Sequence, residues 1–448
     1  MNTKPNLVTE LPGPKAKAVL AQNRRSVSPS LPHAYPLVVK RAAGTEVEDV
    51  DGNRFLDCAA GIAVCSTGHC HPRVVQAIRE QAGNLLHICA ADFYDPLYIS
   101  LAERLGRLAP GKEPMVAYLG NSGAEAVEAA LKLTRHATRR THILAFMGAF
   151  HGRTMGAISL TASKTLYHSG FRPLVPAITH IPYAYCYRCA HHLTYPQCNL
   201  ACVDFIEDQV FGKTVAPDEV AAVFVEAIQG EGGYIVPPVG WLSKLAELCK
   251  RHDILLVADE IQSGMGRTGK MFAVEHWGVE PDMICMAKAL ASGMPIAAMI
   301  ARRELMRWPP GSHGSTFGGN PVCCAAAHAT LDVLEEERLL DNATRIGAYL
   351  MAKLADLAES SRLIGDVRGR GLMIGVELVQ DKVTRKKAVR EAEQVMLGCF
   401  KRGLLTLTCG PNSIRFSPPL IITEAEADTA FQIFAEAVME VEKAGVQP

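Results

Sequence analysis

Five short runs of apolar residues recur along the first two thirds of the chain. Each run is too short for a stable helix and lacks the strict alternation of a strand with one solvent-facing side. Continuous apolar runs of this length are typical of parallel strands that are buried on both faces. The runs cover residues 115–119, 142–146, 221–225, 254–258 and 283–287.

Helical spacing of apolar residues occurs before, between and after these runs and indicates an α/β fold. It is found at residues 72–86, at 97–108, in the alanine-rich stretch after Gly120 and from 325 to about 340. A mostly parallel sheet flanked by helices therefore accounts for a large domain, which we place at residues 66–330.

The two ends of the chain predict a second, smaller α+β domain. Residues 38–57 alternate around the Asp51-Gly52 turn signal, and 1–37 are expected to form a loosely structured arm. From residue 341 onward the pattern predicts a helix, then strands at 372–379, 404–407 and 414–416, and a closing helix at 424–441. We assign 1–65 and 331–448 to this domain.

Composition narrows the environment and the partners of this 448-residue chain. Lysine plus arginine and aspartate plus glutamate both total 46, so no strong field favours nucleic acid or an anionic membrane. No apolar run is long enough to span a bilayer, and residues 1–25 lack a signal-peptide core. Most of the fourteen cysteines lie singly, as in a reducing compartment. We expect a soluble cytoplasmic protein.

The strongest chemical signal is an acid and an amine that end neighbouring predicted strands. Asp259 follows the run 254–258, and Lys288 follows the run 283–287. Open α/β sheets bind ligands at the carboxyl ends of their strands, so both side chains can reach one crevice. Pyridoxal phosphate needs such a pair, a lysine for its aldehyde and an acid for its ring nitrogen.

The segment between these two residues also contains Gly264-x-Gly266-x-x-Gly269, which matches a dinucleotide-binding fingerprint. The glycines do not follow the strand directly. The chain then reaches Pro281 without the long helix and second strand that a Rossmann unit requires. This disfavours dinucleotide binding.

The pattern resembles the class III (ω-amino acid) aminotransferases, which are pyridoxal-phosphate enzymes of fold type I. The resemblance runs from about residue 47 into the C-terminal region. It rests on the segments 259–269 and 281–295, on 120–133, on 148–154 and on 312–321. The family usually has proline where Ala227 stands, which is a mild departure.

The resemblance implies a cofactor-binding set. Lys288 would bond the cofactor aldehyde, Asp259 would pair with the pyridine nitrogen, and Gln262 would contact the ring hydroxyl. A small-residue turn opening a helix also suits a phosphate on physical grounds. The remaining implied cofactor residues are Ser122, Gly123 and Ala124 at that turn, Phe150 stacked on the ring, His151 and Glu226. Thr316 would reach the cofactor phosphate that is bound in the partner subunit.

The resemblance also implies how a substrate would be held. Ile62 lies in the segment that enters the active site. Arg153 would bind the carboxylate distal to the reacting amine, because arginine pairs with carboxylates in a bidentate manner. Arg415 would bind an α-carboxylate, and Glu231 would pair with it when the substrate has none.

These residues together predict a homodimer, or a dimer of dimers, that acts as an aminotransferase. It would move the terminal amino group of a 4-aminobutyrate-like donor to 2-oxoglutarate as the 2-oxo acid acceptor. Two alternatives stay open on the same scaffold: an acetylornithine or ornithine aminotransferase, and an amino-acid racemase or epimerase.

Four cysteines form the most unusual segment. Cys186-x-x-Cys189 and Cys198-x-x-x-Cys202 have spacings that occur in zinc and iron–sulfur sites. The last spacing is not diagnostic, so a hydrophobic loop with incidental thiols is the alternative. A non-catalytic protein built around this cluster is disfavoured by the intact set of Asp259, Gln262 and Lys288.

Overall fold

The computed structural model describes residues 4–445. The strands are β1 (Val39–Ala43), β2 (Glu46–Asp49), β3 (Arg54–Asp57), β4 (Val116–Gly120), β5 (His142–Phe146), β6 (Ile178–Ile181), β7 (Val220–Val225), β8 (Leu255–Asp259), β9 (Met283–Met286), β10 (Ala297–Ala301), β11 (Ile364–Arg370), β12 (Met373–Asp381), β13 (Lys386–Lys387), β14 (Leu404–Leu405), β15 (Leu407–Cys409) and β16 (Ser413–Phe416).

The α-helices alternate with these strands. They are α1 (Pro14–Ser26), α2 (Ala60–Ala63), α3 (Pro72–Asn84), α4 (Pro96–Leu108), α5 (Gly123–Thr138), α6 (Met155–Leu160), α7 (Ala201–Phe205), α8 (Trp241–Arg251), α9 (Pro321–Glu336), α10 (Leu339–Ser360), α11 (Val389–Lys401) and α12 (Glu424–Ala444). Within residues 4–445, none of them is long and apolar enough to cross a membrane.

The chain forms two compact units, one of residues 72–340 and one of residues 4–71 together with 341–445. Both boundaries between the units lie slightly further along the chain than the sequence predicted. The larger unit contains a seven-stranded sheet in the order β4-β10-β9-β8-β7-β5-β6. Strands β9, β8, β7, β5 and β6 are parallel to one another, whereas β10 is antiparallel to both β9 and β4.

The central strands are buried along their whole length, which explains their uninterrupted apolar sequences. Every residue of β7, β8, β9 and β10 is buried. Helix α5 packs against this sheet through Ala126, Ala129 and Ala130, whose small side chains allow a close approach. Burial on both faces of the sheet follows from helices covering it.

The second unit contains two smaller sheets. One has the order β1-β2-β3-β14, and the other has the order β11-β12-β16-β15 with β13 paired to β12. The C-terminal helix α12 begins with a reciprocal capping box between Thr423 and Glu426, as its sequence favours.

Two expectations need correction. Residues 1–37 are not uniformly loose, because helix α1 occupies Pro14–Ser26 with proline in its first turn. The antiparallel strand β10 was not predicted, although its sequence Ala297–Ala301 is as apolar as its neighbours.

Candidate active site

The carboxyl ends of six of the seven strands lie along one edge of the large sheet. Since β10 is antiparallel to both β4 and β9, β4 points in the same direction as the parallel strands. The residues that follow β9, β8, β7 and β5 therefore lie side by side in the spatial order of those strands. They include Lys288, Asp259, Glu226 and His151.

Asp259 ends β8 and is paired with a buried histidine. Its Oδ2 lies 2.7 Å from Nδ1 of His151, and its Oδ1 accepts the N–H of Ile261 at 3.0 Å. Asp259 is 4% exposed and His151 2%. Burial opposes the imidazolium, but the bond to Asp259 and its charge outweigh this and raise the pKa of His151. The pair therefore places a compensated carboxylate at the sheet edge.

Two further carboxyl groups are buried beside this pair. Burial raises the pKa of Glu226 to about 7, and the nearby Asp259 adds to the shift. Burial likewise raises the pKa of Glu260 to about 7. Glu226 accepts the N–H groups of Phe150 and Gly230, at 3.1 and 2.9 Å, and thereby joins the loops after β5 and β7.

Lys288 follows β9, two residues after Met286. The register pairs Asp259 with Cys285, three residues before Lys288, so the amine and the acid leave adjacent strands at the same edge of the sheet. The backbone of Lys288 has a φ of 42°, in a region that non-glycine residues seldom adopt. Such conformations concentrate at functional sites, where the surrounding structure fixes them.

The N-terminus of α5 presents a helix dipole and free backbone N–H positions to the same edge. Ser122 caps it by accepting the N–H of Glu125 at 3.3 Å. A Cβ on Gly123 would lie 2.9 Å from the Ile261 side chain, so glycine lets this turn approach the strand end of β8. A Cβ on Gly152 would come within 2.8 Å of the Ala124 side chain.

Gln262 is oriented by a residue that the motif did not reveal. Its Oε1 accepts the hydroxyl of Tyr234 at 2.8 Å, which leaves the amide nitrogen as a donor. A Cβ on Gly230 would lie only 2.3 Å from that nitrogen, so this glycine makes room for it. The Gly-Gly-Tyr sequence after Glu231 was the available signal for Tyr234.

A second cluster surrounds Arg153. Its guanidinium carbon lies 4.6 Å from the ring centroid of Tyr167 and 5.9 Å from that of Phe150. Glu231 Oε1 lies 2.7 Å from Nζ of Lys164 and accepts the Tyr167 hydroxyl at 3.2 Å. The structure thus brings Phe150, Arg153 and Glu231 together. Lys164 and Tyr167 belong to no motif, and no sequence signal pointed to them.

The other predicted site residues lie elsewhere. Ile62 and Arg415 belong to the second unit. Ile62 has a φ of 68°, which is unusual for a β-branched residue, and it is 43% exposed. Arg415 lies on β16, opposite Gly375 of β12, and is 5% exposed. Thr316 is exposed, in the loop before α9 of the larger unit.

The four clustered cysteines surround one small, largely apolar cavity, and all fourteen cysteines are free thiols. Burial and the neighbouring thiols raise the pKa of Cys202 to about 11. Across residues 4–445, no group of three or more histidine, cysteine or acidic side chains is arranged to hold a metal ion. The structure does not assemble the metal site that the spacing allowed.

The arrangement fits pyridoxal phosphate. A buried, histidine-paired carboxylate suits a protonated ring nitrogen, Lys288 supplies the amine, and the α5 N-terminus suits a phosphate. A buried imidazole nitrogen, His151 Nε2, has no hydrogen-bond partner among the described residues. The other nitrogen of that ring, Nδ1, is the one that contacts Asp259.

Comparison with known proteins supports the same conclusion. Residues 28–438 match the family described as aminotransferase class-III. The chain is 40% identical to an alanine/serine racemase of Pyrococcus horikoshii, over 97% of this chain and 93% of that protein. It is 42% identical to a 4-aminobutyrate aminotransferase of Mycobacterium leprae, over 93% and 94%.

A solved amine transaminase from an uncultivated Pseudomonas species, in its pyridoxal-phosphate-bound form, has a similar structure. The TM-score is 0.86 at 33% identity, covering 93% of this chain and 98% of that one. The family match covers most of the chain, and its cofactor is the one that the sheet edge fits. The chain is therefore a class III aminotransferase, a pyridoxal-phosphate enzyme of fold type I.

Proposed function

We propose that this aminotransferase moves the terminal amino group of an ω-amino acid, of which 4-aminobutyrate is the type, to 2-oxoglutarate. The observation that carries the proposal is the position of Arg153 over the rings of Phe150 and Tyr167. Phe150 is the residue proposed to cover the cofactor ring. A guanidinium next to it suits a carboxylate that lies a few bonds from the reacting amine.

The cofactor is proposed to be held by the residues of the sheet edge. The α5 N-terminus, with Ser122, Gly123 and Ala124, takes the phosphate. Asp259, backed by His151, keeps a proton on the ring nitrogen, and Gln262 donates to the ring oxygen. Pyridoxal phosphate supplies an aldehyde that bonds the donor amine and a ring that accepts electrons.

Lys288 is proposed to carry the proton transfers. Its Nζ takes a proton from the donor carbon that bears the nitrogen. In the second half-reaction it delivers a proton to the corresponding carbon of the acceptor. A lysine at the tip of a buried strand suits this role because little of its backbone can move. The strained φ of 42° at Lys288 indicates that the surrounding structure fixes that position.

The two ends of the substrate are proposed to be held by different arginines. Arg153 binds the distal carboxylate, which 4-aminobutyrate and glutamate share, and Arg415 binds the α-carboxylate, which only glutamate carries. Glu231 supplies a negative charge when no α-carboxylate is present, and Ile62 lines the entrance.

We also propose that the protein is a homodimer, or a dimer of dimers, in the cytoplasm. Thr316 and the adjacent Phe317 are exposed, and Phe317 is 61% exposed, as for residues that a partner subunit would cover. Fourteen free thiols support a reducing compartment.

A screen of amino donors with 2-oxoglutarate tests the proposal directly. Purified holoenzyme should form glutamate from 4-aminobutyrate faster than from ornithine or acetylornithine. The 40% identity to a racemase makes racemisation of a neutral α-amino acid the second candidate. An assay without any oxo acid distinguishes the two, because only a racemase inverts a substrate without an acceptor. Racemisation with no amino transfer to 2-oxoglutarate would contradict the proposal.

A further inference from the structure

Tyr167 lies between two oppositely charged groups of the larger unit. The guanidinium of Arg153 lies 4.6 Å from the centroid of its ring, and its hydroxyl donates to Glu231 at 3.2 Å. Lys164 Nζ lies 2.7 Å from the same Glu231 oxygen. We propose that Tyr167 positions Arg153, and that Tyr167 and Lys164 hold Glu231 away from it, so that the enzyme selects donors with a distal carboxylate.

The ring of Tyr167 restrains an arginine that is otherwise exposed. Within residues 4–445 the Arg153 guanidinium has no hydrogen bond or ion pair, and its contacts are with the rings of Tyr167 and Phe150. Those rings meet edge to face, with centroids 5.5 Å apart. Stacking leaves the N–H groups of the guanidinium available, and a restrained side chain loses less entropy when a carboxylate binds.

Glu231 is the carboxylate that would compete with a substrate for Arg153. It is held at the hydroxyl edge of Tyr167 while Arg153 lies on the face of the ring. The pKa of Tyr167 is raised, by burial first and then by the charge of Glu231, while Lys164 and Arg153 oppose the rise. All three charged groups are therefore within electrostatic reach of a phenol that stays protonated and donates to Glu231.

The consequence is a preference between donors of equal length. A donor such as 4-aminobutyrate gains a charge-assisted pair with a prepositioned guanidinium, whereas butylamine gains none. Removing the ring of Tyr167 should therefore reduce the ratio of kcat/KM for 4-aminobutyrate to kcat/KM for butylamine. A general loss of structure would lower both constants and leave their ratio unchanged.

The experiment compares Tyr167→Leu, Tyr167→Phe and Arg153→Ala in the holoenzyme. The kcat/KM of the first half-reaction is measured with 4-aminobutyrate and with butylamine, and the Kd of butyrate is measured by calorimetry. Tyr167→Leu should lower the ratio of 4-aminobutyrate to butylamine roughly two- to fivefold and weaken butyrate by a similar factor. Tyr167→Phe, which keeps the ring, should retain most of the ratio.

This inference rests on the proposed role of Arg153, and the variants distinguish the two failures. If Arg153→Ala leaves both the ratio and butyrate binding unchanged, the proposed carboxylate site is wrong, and this inference falls with it. If Arg153→Ala lowers them but Tyr167→Leu does not, only the positioning role of Tyr167 is overturned. Equal effects of Tyr167→Leu and Tyr167→Phe would also overturn it.

The role of Lys164 has its own test. Lys164→Met releases one contact of Glu231, so the carboxylate can compete for Arg153 and butyrate should bind more weakly. Adding Glu231→Gln removes the competitor, so the double variant should bind butyrate as Glu231→Gln alone does. Additive effects of the two substitutions would show that Lys164 does not act through Glu231.

Discussion

Replacing Asp259 with asparagine removes a negative charge from the sheet edge while nearly conserving the shape of the side chain. Oδ1 of Asp259 accepts the N–H of Ile261 at 3.0 Å, which an asparagine oxygen can also do. Oδ2 lies 2.7 Å from His151 Nδ1, and this contact loses its charge. Asp259→Asn therefore separates the effect of charge from the effect of geometry.

The expected loss of rate in Asp259→Asn follows from the burial of the pair of Asp259 and His151. Both side chains are almost fully buried, so solvent and salt screen the interaction little. A hydrogen bond to a charged group contributes ~1.5–3 kcal/mol, which corresponds to roughly 10- to 150-fold in a rate that depends on it. Without the carboxylate, the ring nitrogen of the cofactor would lose the group that we propose keeps it protonated. Proton removal from the donor should slow by at least this factor.

Single-turnover measurements isolate that step. Cofactor absorbance is followed after mixing holoenzyme with 4-aminobutyrate and no oxo acid. Asp282→Asn is a matched control, because Asp282 accepts the N–H of Leu256 at 2.7 Å and pairs with Arg302 at 2.6 Å, at the opposite end of β9 from Lys288. It should lower stability without slowing the chemistry. A wild-type single-turnover rate in Asp259→Asn would refute the assignment.

The same variant makes a prediction about stability and pH. The folded pKa of His151 is raised, so its pairing contributes stability that is fully present below its ordinary pKa of about 6.5. That contribution is lost as the pH rises through the folded value. Apoprotein carrying Asp259→Asn should lack this loss, which chemical denaturation across the pH range measures. Parallel pH profiles of the two proteins would contradict the pairing.

Three further predictions concern other residues. Lys288→Ala should still bind cofactor but not covalently, and should lose turnover; borohydride reduction and peptide mapping of the wild type should label Lys288, whereas labelling of Lys270 would exclude it. Arg153→Ala should lower kcat/KM for 4-aminobutyrate and for glutamate roughly 10- to 150-fold. Glu231→Gln should slow mainly the 4-aminobutyrate half-reaction, because only glutamate brings its own α-carboxylate to Arg415. Equal slowing of both half-reactions in Glu231→Gln would exclude the proposed role of Glu231. The pKa of Glu260 is about 7 in the folded protein and 4.5 for an ordinary glutamate, so Glu260 contributes stability that is present below about pH 4.5 and is lost as the pH rises through 7. The free energy of unfolding should therefore fall by up to about 3 kcal/mol between pH 5 and pH 8, and Glu260→Gln should lack this fall.

The parts of the fold that the sequence predicted well are those with a local physical cause. The run at 142–146 coincides with β5, and the runs before Asp259 and Lys288 fall on β8 and β9 to within one residue at each end. Burial on both faces demands apolar residues at every position, so these strands are visible without knowing their neighbours. Asp259 and Lys288, which follow two of these runs, are then placed at the sheet edge by geometry alone.

The parts that the sequence did not predict depend on contacts between distant residues. No local pattern shows that β10 would insert between β4 and β9 with the opposite direction. Helix α1 has a mean polarity that resembles a disordered arm, and it buries only Ala16. Tyr167 and Lys164 reach Glu231 from more than sixty positions away. Such side-chain meetings leave no periodic trace in the sequence.

The arrangement of acids at the sheet edge explains why Asp259 is suited to hold a proton on another group. Glu226 and Glu260 are buried next to the same strand ends, and burial together with the charge of Asp259 raises the pKa of each to about 7. Like charges in one buried site cannot all be ionised at low cost. Of these three acids, Asp259 is the one that bonds an imidazole, and the pKa of that imidazole is raised in return. Near neutral pH Glu226 and Glu260 are therefore partly protonated, whereas Asp259 is the acid that is bonded to His151. Acids in different surroundings take different roles, and Asp259, which is bonded to His151, is the one proposed to meet the ring nitrogen of the cofactor.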